Sequence, residues 1–175
     1  MNTQQMQDLL QKLSDTKFKL NGYFSDDPVR PQLRPPASGG DLAALDAFLQ
    51  ARNLVMPASY RLFLSTSNGV SSLMNDELSL LSALEVARDD HGLLPEMVDE
   101  YPACSQFVIG AGNTPECVSF DVDTSPSKHG YEVVWISSIG EQWRHDNFEA
   151  FLKGYLSVLE RRVAAQQKDR KNLKP

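Results

Sequence analysis

The residues of this 175-residue chain whose types and spacing come nearest to chemistry are carboxylates. Asp121 and Asp123 alternate at the end of a β-rich run, so a strand there points both side chains to one face, with Glu116 and Glu132 adding charge nearby. Such a cluster can hold a hard cation or serve as an acid/base pair. Asp-x-Asp followed by Thr124-Ser125-Pro126-Ser127 is also an ordinary turn in which aspartates bond back to the backbone, and the turn is the favoured reading. Asp76-Glu77 and Asp89-Asp90 occupy loop or helix-end positions, and Glu141 follows a turn. Asp76, Glu77, Asp89, Asp90, Glu116, Asp121, Asp123 and Glu141 are therefore expected to form a partner-binding acidic patch, which recognises a molecule without transforming it.

Other chemistries find little footing. His91, His129 and His145 stand apart, and neither an HExxH nor a CxxC spacing offers zinc ligands. Gly110-Ala111-Gly112-Asn113 lacks the third glycine of a dinucleotide fingerprint, and Pro115 blocks the helix that must follow, so it is read as a loop between strands. No phosphate-binding Gly-Lys-Ser/Thr run and no Gly-x-Ser-x-Gly elbow is present. Cys104 and Cys117 sit among apolar residues and read as reduced, half-buried thiols. The expectation is a chain with no catalytic residue, no metal site and no cofactor.

Charge narrows the choice of partner. Residues 41–160 carry 6 basic and 18 acidic side chains, a balance of −12 within a total of −6, while residues 161–175 carry 6 basic and 1 acidic. A domain of that sign repels nucleic acid and anionic lipid and attracts a basic protein. The plainer alternative is a solvated surface that aids solubility. With no apolar run long enough to span a bilayer and no secretory-type start, a cytoplasmic location is expected.

The elements that must position these side chains follow from periodicity. Met6, Leu9, Leu10 and Leu13 form one helical stripe over 3–17. Four prolines and three glycines make 20–40 a connector. Asp41 is a plausible cap for a helix carrying Leu42, Leu45, Phe48 and Leu49; Pro57 opens a second that buries Tyr60, Phe63 and Leu64 and ends at Asn68-Gly69. A short strand falls at 78–81 and a helix at 82–90, with a turn of helix or a loop at 95–101. From Ser105 the period changes to strands at 106–109, 116–120 and 132–136, with Trp143 in or just before another. Phe148, Phe151, Leu152, Tyr155, Leu156 and Leu159 then mark the strongest helix, capped by Asp146 or Asn147, and the basic stretch beyond Arg161 is expected to fray. Tyr60, Phe63, Trp135, Phe151 and Tyr155 are expected in the core. Helices, a meander of strands and a closing helix make the class α+β.

Leu54-Val55-Met56-Pro57-Ala58-Ser59-Tyr60-Arg61-Leu62-Phe63-Leu64, followed by Ser67-Asn68-Gly69, resembles the signature of the SUKH superfamily, also called the Smi/Knr type. Phe107-Val108-Ile109-Gly110, Cys117-Val118-Ser119-Phe120-Asp121 and the closing Phe148-x-x-Phe151-Leu152 match in order. Met56 stands where leucine is usual, a change that conserves volume. The resemblance covers 41–160, leaving 1–40 as an N-terminal helix and proline-rich connector and 161–175 as a basic tail. It implies an antiparallel sheet flanked by helices, here with an extra N-terminal helix. It also implies a non-catalytic immunity protein that neutralises a cognate bacterial toxin, such as a nuclease or deaminase, by direct binding. The alternative it carries is a regulatory interaction module or scaffold.

Overall fold

The computed structural model describes residues 1–74, 78–88, 107–112, 116–122, 130–137 and 140–172. Within them the fold is α+β: five helices flank a seven-stranded antiparallel sheet whose strands lie in sequence order. Helix α1 (Thr3–Asn21) starts in a capping box, with Asn2 accepting from the Gln5 amide at 3.0 Å and the Gln5 side chain accepting from the Asn2 amide at 2.9 Å. Its stripe is buried at Met6, Leu10 and Leu13, and the helix packs against the helices at Ala58–Thr66 and Phe148–Asn172.

The proline-rich connector is more ordered than its composition suggests. The Ser14 hydroxyl donates to the Pro31 carbonyl at 2.8 Å, and the Asn21 amide donates to Val29 at 2.8 Å, pinning the segment along α1. It also contains a two-residue strand, β1 (Gln32–Leu33), expected from nothing in the sequence. β1 lies at the sheet edge, where only one side of the ladder needs donors and neighbouring prolines are tolerated.

Helix α2 (Gly39–Gln50) is capped by Ser38, not by Asp41. Asp41 instead sits at the third helical position and completes the capping box by accepting from the Ser38 amide at 3.0 Å. Helix α3 (Ala58–Thr66) follows Pro57, which is its cap residue, and ends at Thr66 with Ser67 as an extended C-cap, just before Asn68-Gly69. That dipeptide does other work. The Asn68 side chain accepts from the Ala83 amide at 2.8 Å, capping α4 (Ala83–Arg88), and Gly69 adopts φ +97°, where a Cβ would lie 2.8 Å from the Leu80 carbonyl oxygen. Only glycine meets both demands. A second tie runs from the connector: Arg34 donates to Glu85 at 2.6 Å, while Glu85 forms a capping box with Ser82. Burial raises the Glu85 carboxyl, but the Arg34 and Ser82 hydrogen bonds outweigh it and hold the group below its ordinary range.

The sheet continues with β2 (Val70–Ser71), β3 (Leu78–Leu80), β4 (Val108–Gly112), β5 (Glu116–Asp121), β6 (Glu132–Ser137) and β7 (Gly140–His145). Gly110 to Gly112, read as loop, belong to β4. Gly110 pairs with Leu80 on one side and Val118 on the other, and such a ladder needs backbone, not side chains. Trp143 lies within β7 and opposite Trp135, their rings 5.1 Å apart and edge to face. Trp135 is half-buried, less than expected, because it sits near the sheet margin with its indole N–H directed to Glu116 at 3.3 Å. Cys117, expected as a free thiol, is disulfide-bonded. Cys104 and the segment 95–101 lie outside the described residues.

Asn147 caps α5 (Phe148–Asn172) by accepting from the Ala150 amide at 2.9 Å. The basic stretch after Arg161 continues this helix where fraying was expected. Val163 is buried, and the Arg170 guanidinium stacks 4.6 Å from the Tyr23 ring, so the extension is held against the end of α1.

Tyr60, Phe63, Phe107, Phe120 and Phe148 form the centre of the core, with Tyr60 5.1 to 5.8 Å from each of the other rings. Tyr60 is fully buried, and among the described residues its hydroxyl has no hydrogen-bond partner; burial holds the phenol far above its ordinary range. A buried hydroxyl that lost its water and gained nothing is destabilising. Tyr60→Phe is therefore expected to raise stability by about 1 kcal/mol in urea unfolding, with the slope unchanged. A loss of stability would show that the hydroxyl is satisfied in solution.

Candidate carboxylate and arginine cluster

Alternation along β5 sorts the predicted acidic residues. Val118 and Phe120 enter the main core under the helices, whereas Cys117 enters a second, smaller buried cluster with Val108, Ala111, Val134 and Ile136. Two faces are thus occupied, and residues five apart fall on opposite ones. Glu116 is on the helix side, accepting from Trp135. Asp121 is on the other.

On that second face Asp121 stands directly opposite Glu132 across the β5–β6 ladder. Like charges so placed repel, and the arrangement holds because Arg144 of β7 reaches both. Its Nη1 donates at 2.6 Å to Asp121 Oδ2 and at 2.6 Å to Glu132 Oε2. Glu141, three residues back on β7, takes a fork of two bonds from Nη2 at 2.6 Å and Nε at 3.1 Å. The hydrogen bonds to Glu141, then to Asp121, hold the guanidinium protonated well beyond its ordinary range. Three carboxylates and one guanidinium leave the cluster with two negative charges. The Asp121 side chain is the most enclosed at 13% exposed, while Glu132 and Glu141 reach solvent at 39% and 37%.

Of the eight residues expected in the patch, Asp121 and Glu141 are brought together and Glu116 is separated from them by the sheet. Asp76, Glu77, Asp89, Asp90 and Asp123 lie outside the described residues. Arg144 was not foreseen. An arginine on a strand that follows an acid-flanked strand was the available signal, but it needed the register to be read. Among the described residues no group of three His, Cys, Asp or Glu side chains is arranged to hold a metal ion, and no helix is long and apolar enough to cross a membrane. The arrangement gathers three carboxylates around one guanidinium and presents their remaining charge on this face of the sheet. Comparison with protein-family models returns no match, and comparison with curated protein sequences returns none. The SUKH resemblance accordingly rests on the motif residues themselves.

Proposed function

We propose that this chain is a non-catalytic immunity protein of the cytoplasm, which binds a basic bacterial toxin, such as a nuclease or deaminase, and blocks its cleft with an acidic surface. The observation that carries the reading is the charge balance of −12 over residues 41–160. The cluster around Arg144 supports it with two solvent-reaching carboxylates, Glu132 and Glu141, held in fixed positions on the sheet. A toxin that grips phosphates offers cations to such carboxylates, and complementary charge speeds encounter and selects the partner. The resemblance of 54–69 to the SUKH signature points the same way. Cytoplasmic action requires the protein to work in a reducing compartment, where a Cys117 disulfide is not normally maintained, so binding should be measured with and without reductant.

The test uses two substitutions of opposite sign and, as the binding probe, the product of the adjacent gene, which this reading requires to be a toxin. Glu141→Lys is expected to slow association about tenfold at low salt, with the difference shrinking as salt rises. Arg144→Gln uncovers three carboxylates and is expected to speed association while lowering stability by about 1–3 kcal/mol, since a partly exposed network is worth less than a buried one. If the two variants change the rate in the same direction, or neither changes it, an acidic docking surface is the wrong description.

A further inference from the structure

The sheet ends on two unlike edges. β1, at one end, is two residues long, with Pro31 directly before it and Pro35 two residues beyond its end. Proline withholds the amide that an added strand would need, so this edge is closed to pairing. β7, at the other end, runs for six residues without a proline or a lysine, and Glu141, Gln142 and Arg144 along it are exposed. It is paired with β6 on one side only. Apart from that ladder, the only hydrogen bond to its backbone among the described residues runs from the Gln142 side chain to the Gly140 carbonyl at 2.8 Å. An edge strand turns alternate N–H and C=O groups outward, and β7 presents its row of them to solvent.

Charge or a bulge commonly blunts such an edge, and β7 carries both in forms that leave it open. The cation, Arg144, is turned back across β6 to reach Asp121 of β5, away from the edge. The register shift falls opposite Trp135 and Ile136 and isolates Gln142. Trp143, Arg144 and His145 keep one-to-one pairing with Trp135, Val134 and Val133. The two sides of the strand differ in chemistry. Glu141 and Arg144 lie on the face of the acidic cluster, where three carboxylates surround one guanidinium. Trp143 and His145 lie half-buried on the helix face, 6.1 Å from the Tyr155 ring and 5.8 Å from the Phe151 ring respectively.

We propose that β7 docks an extended segment of a partner protein as an added strand, with cationic side chains over the Glu141 face alternating with aliphatic ones beside Trp143 and His145. In such docking the backbone bonds supply affinity and the alternating side chains supply selectivity. Charge complementarity calls for a basic segment and argues against a second copy of this chain. Pairing β7 with itself would set two clusters of net negative charge side by side on one face. The proposal deepens the reading above and rests on it for the partner's being a toxin. Its test needs no toxin, so either can fail without the other.

The experiment titrates short end-capped peptides into the full chain at low salt and follows backbone amide shifts and hydrogen exchange by NMR. A peptide alternating lysine and valine is expected to give saturable shifts across Glu141 to His145 and to slow exchange of the outward amides there. Its fully N-methylated counterpart keeps the charge, loses every backbone donor and should bind about tenfold more weakly. A peptide alternating glutamate and valine should also bind more weakly than the lysine peptide. Glu141→Gln is expected to weaken the lysine peptide about fivefold at low salt, and less as salt rises. Equal binding of the N-methylated peptide would reduce the contact to charge attraction, and equal binding of the glutamate peptide, or an unchanged affinity in Glu141→Gln, would remove its selectivity. A free chain that is dimeric with its β7 amides already protected would give the edge to a second copy. Each of these results, or no saturable shift at millimolar peptide, overturns the proposal.

Discussion

Deleting residues 1–21 is expected to abolish cooperative unfolding and leave an aggregation-prone chain. Met6, Leu10 and Leu13 are at most 1% exposed and Leu20 is 5% exposed, and all four belong to the same core as Tyr60 and Phe151. Full burial of one such side chain is worth about 1.5–3 kcal/mol, so the four together contribute roughly 6–12 kcal/mol. The whole stability of a domain this size is about 5–15 kcal/mol, and the deletion removes a comparable amount. It also uncovers the faces of α3 and α5 on which α1 lies and frees the connector from its Ser14 and Asn21 anchors. The surface pair of Lys12 with Glu160 adds little to this, because both side chains are about half exposed. Circular dichroism melting and solution mass decide the matter. A truncated chain that stays monomeric and melts cooperatively within a few degrees of the full one would show that α1 is an accessory, held for a partner.

What the sequence disclosed depended on whether the deciding interaction was local. Helical stripes such as Met6-Leu10-Leu13 and Phe148-Phe151-Leu152-Tyr155 are written at short spacing and were readable, as were the strands of β5 and β6. Caps were harder, since Ser38 and Asp41 both suit the position and only the box geometry separates them. β1 is invisible because two residues carry no period and their partners, Val70 and Ser71, lie far along the chain. The same holds for the extension of α5, where a polar sequence stays helical through Val163 and the stacking of Arg170 on Tyr23. At the acidic cluster the residue types were legible and the geometry was not. That Glu116 and Asp121 part company follows from parity along one strand, but the role of Arg144 required the β6–β7 register, including a shift between Trp135 and Ile136. The flexibility of Asn68-Gly69 is legible in the sequence, but what it is used for is not, because its partners Ala83 and Leu80 come later in the chain.

Phe151→Ala is expected to cost about 3–5 kcal/mol at neutral pH, the usual range for truncating a buried aromatic ring. Phe151 is fully buried, 6.1 Å from the Phe148 ring and 5.8 Å from His145. The second contact makes the loss pH-dependent. His145 ends β7 with its ring pressed on Gly154 of α5, where a Cβ would fall 2.4 Å from the imidazole Cε1. Burial lowers its pKa below the ordinary 6.5, more than the nearby charge of Asp146 raises it. A folded-state pKa below the unfolded one gives stability that is present above 6.5 and is lost as pH falls through the folded value. Removing the Phe151 ring opens His145 to water and relaxes that shift, so the variant should lose less than the wild type on acidification. The stability gap between the two proteins is therefore expected to narrow as pH falls from neutral through the histidine range. Urea unfolding of both proteins across that range, with the His145 titration followed by NMR, tests each part. A gap that stays constant would uncouple His145 from Phe151, and a loss well under 3 kcal/mol at neutral pH would mean that the α5–β7 interface repacks around the missing ring.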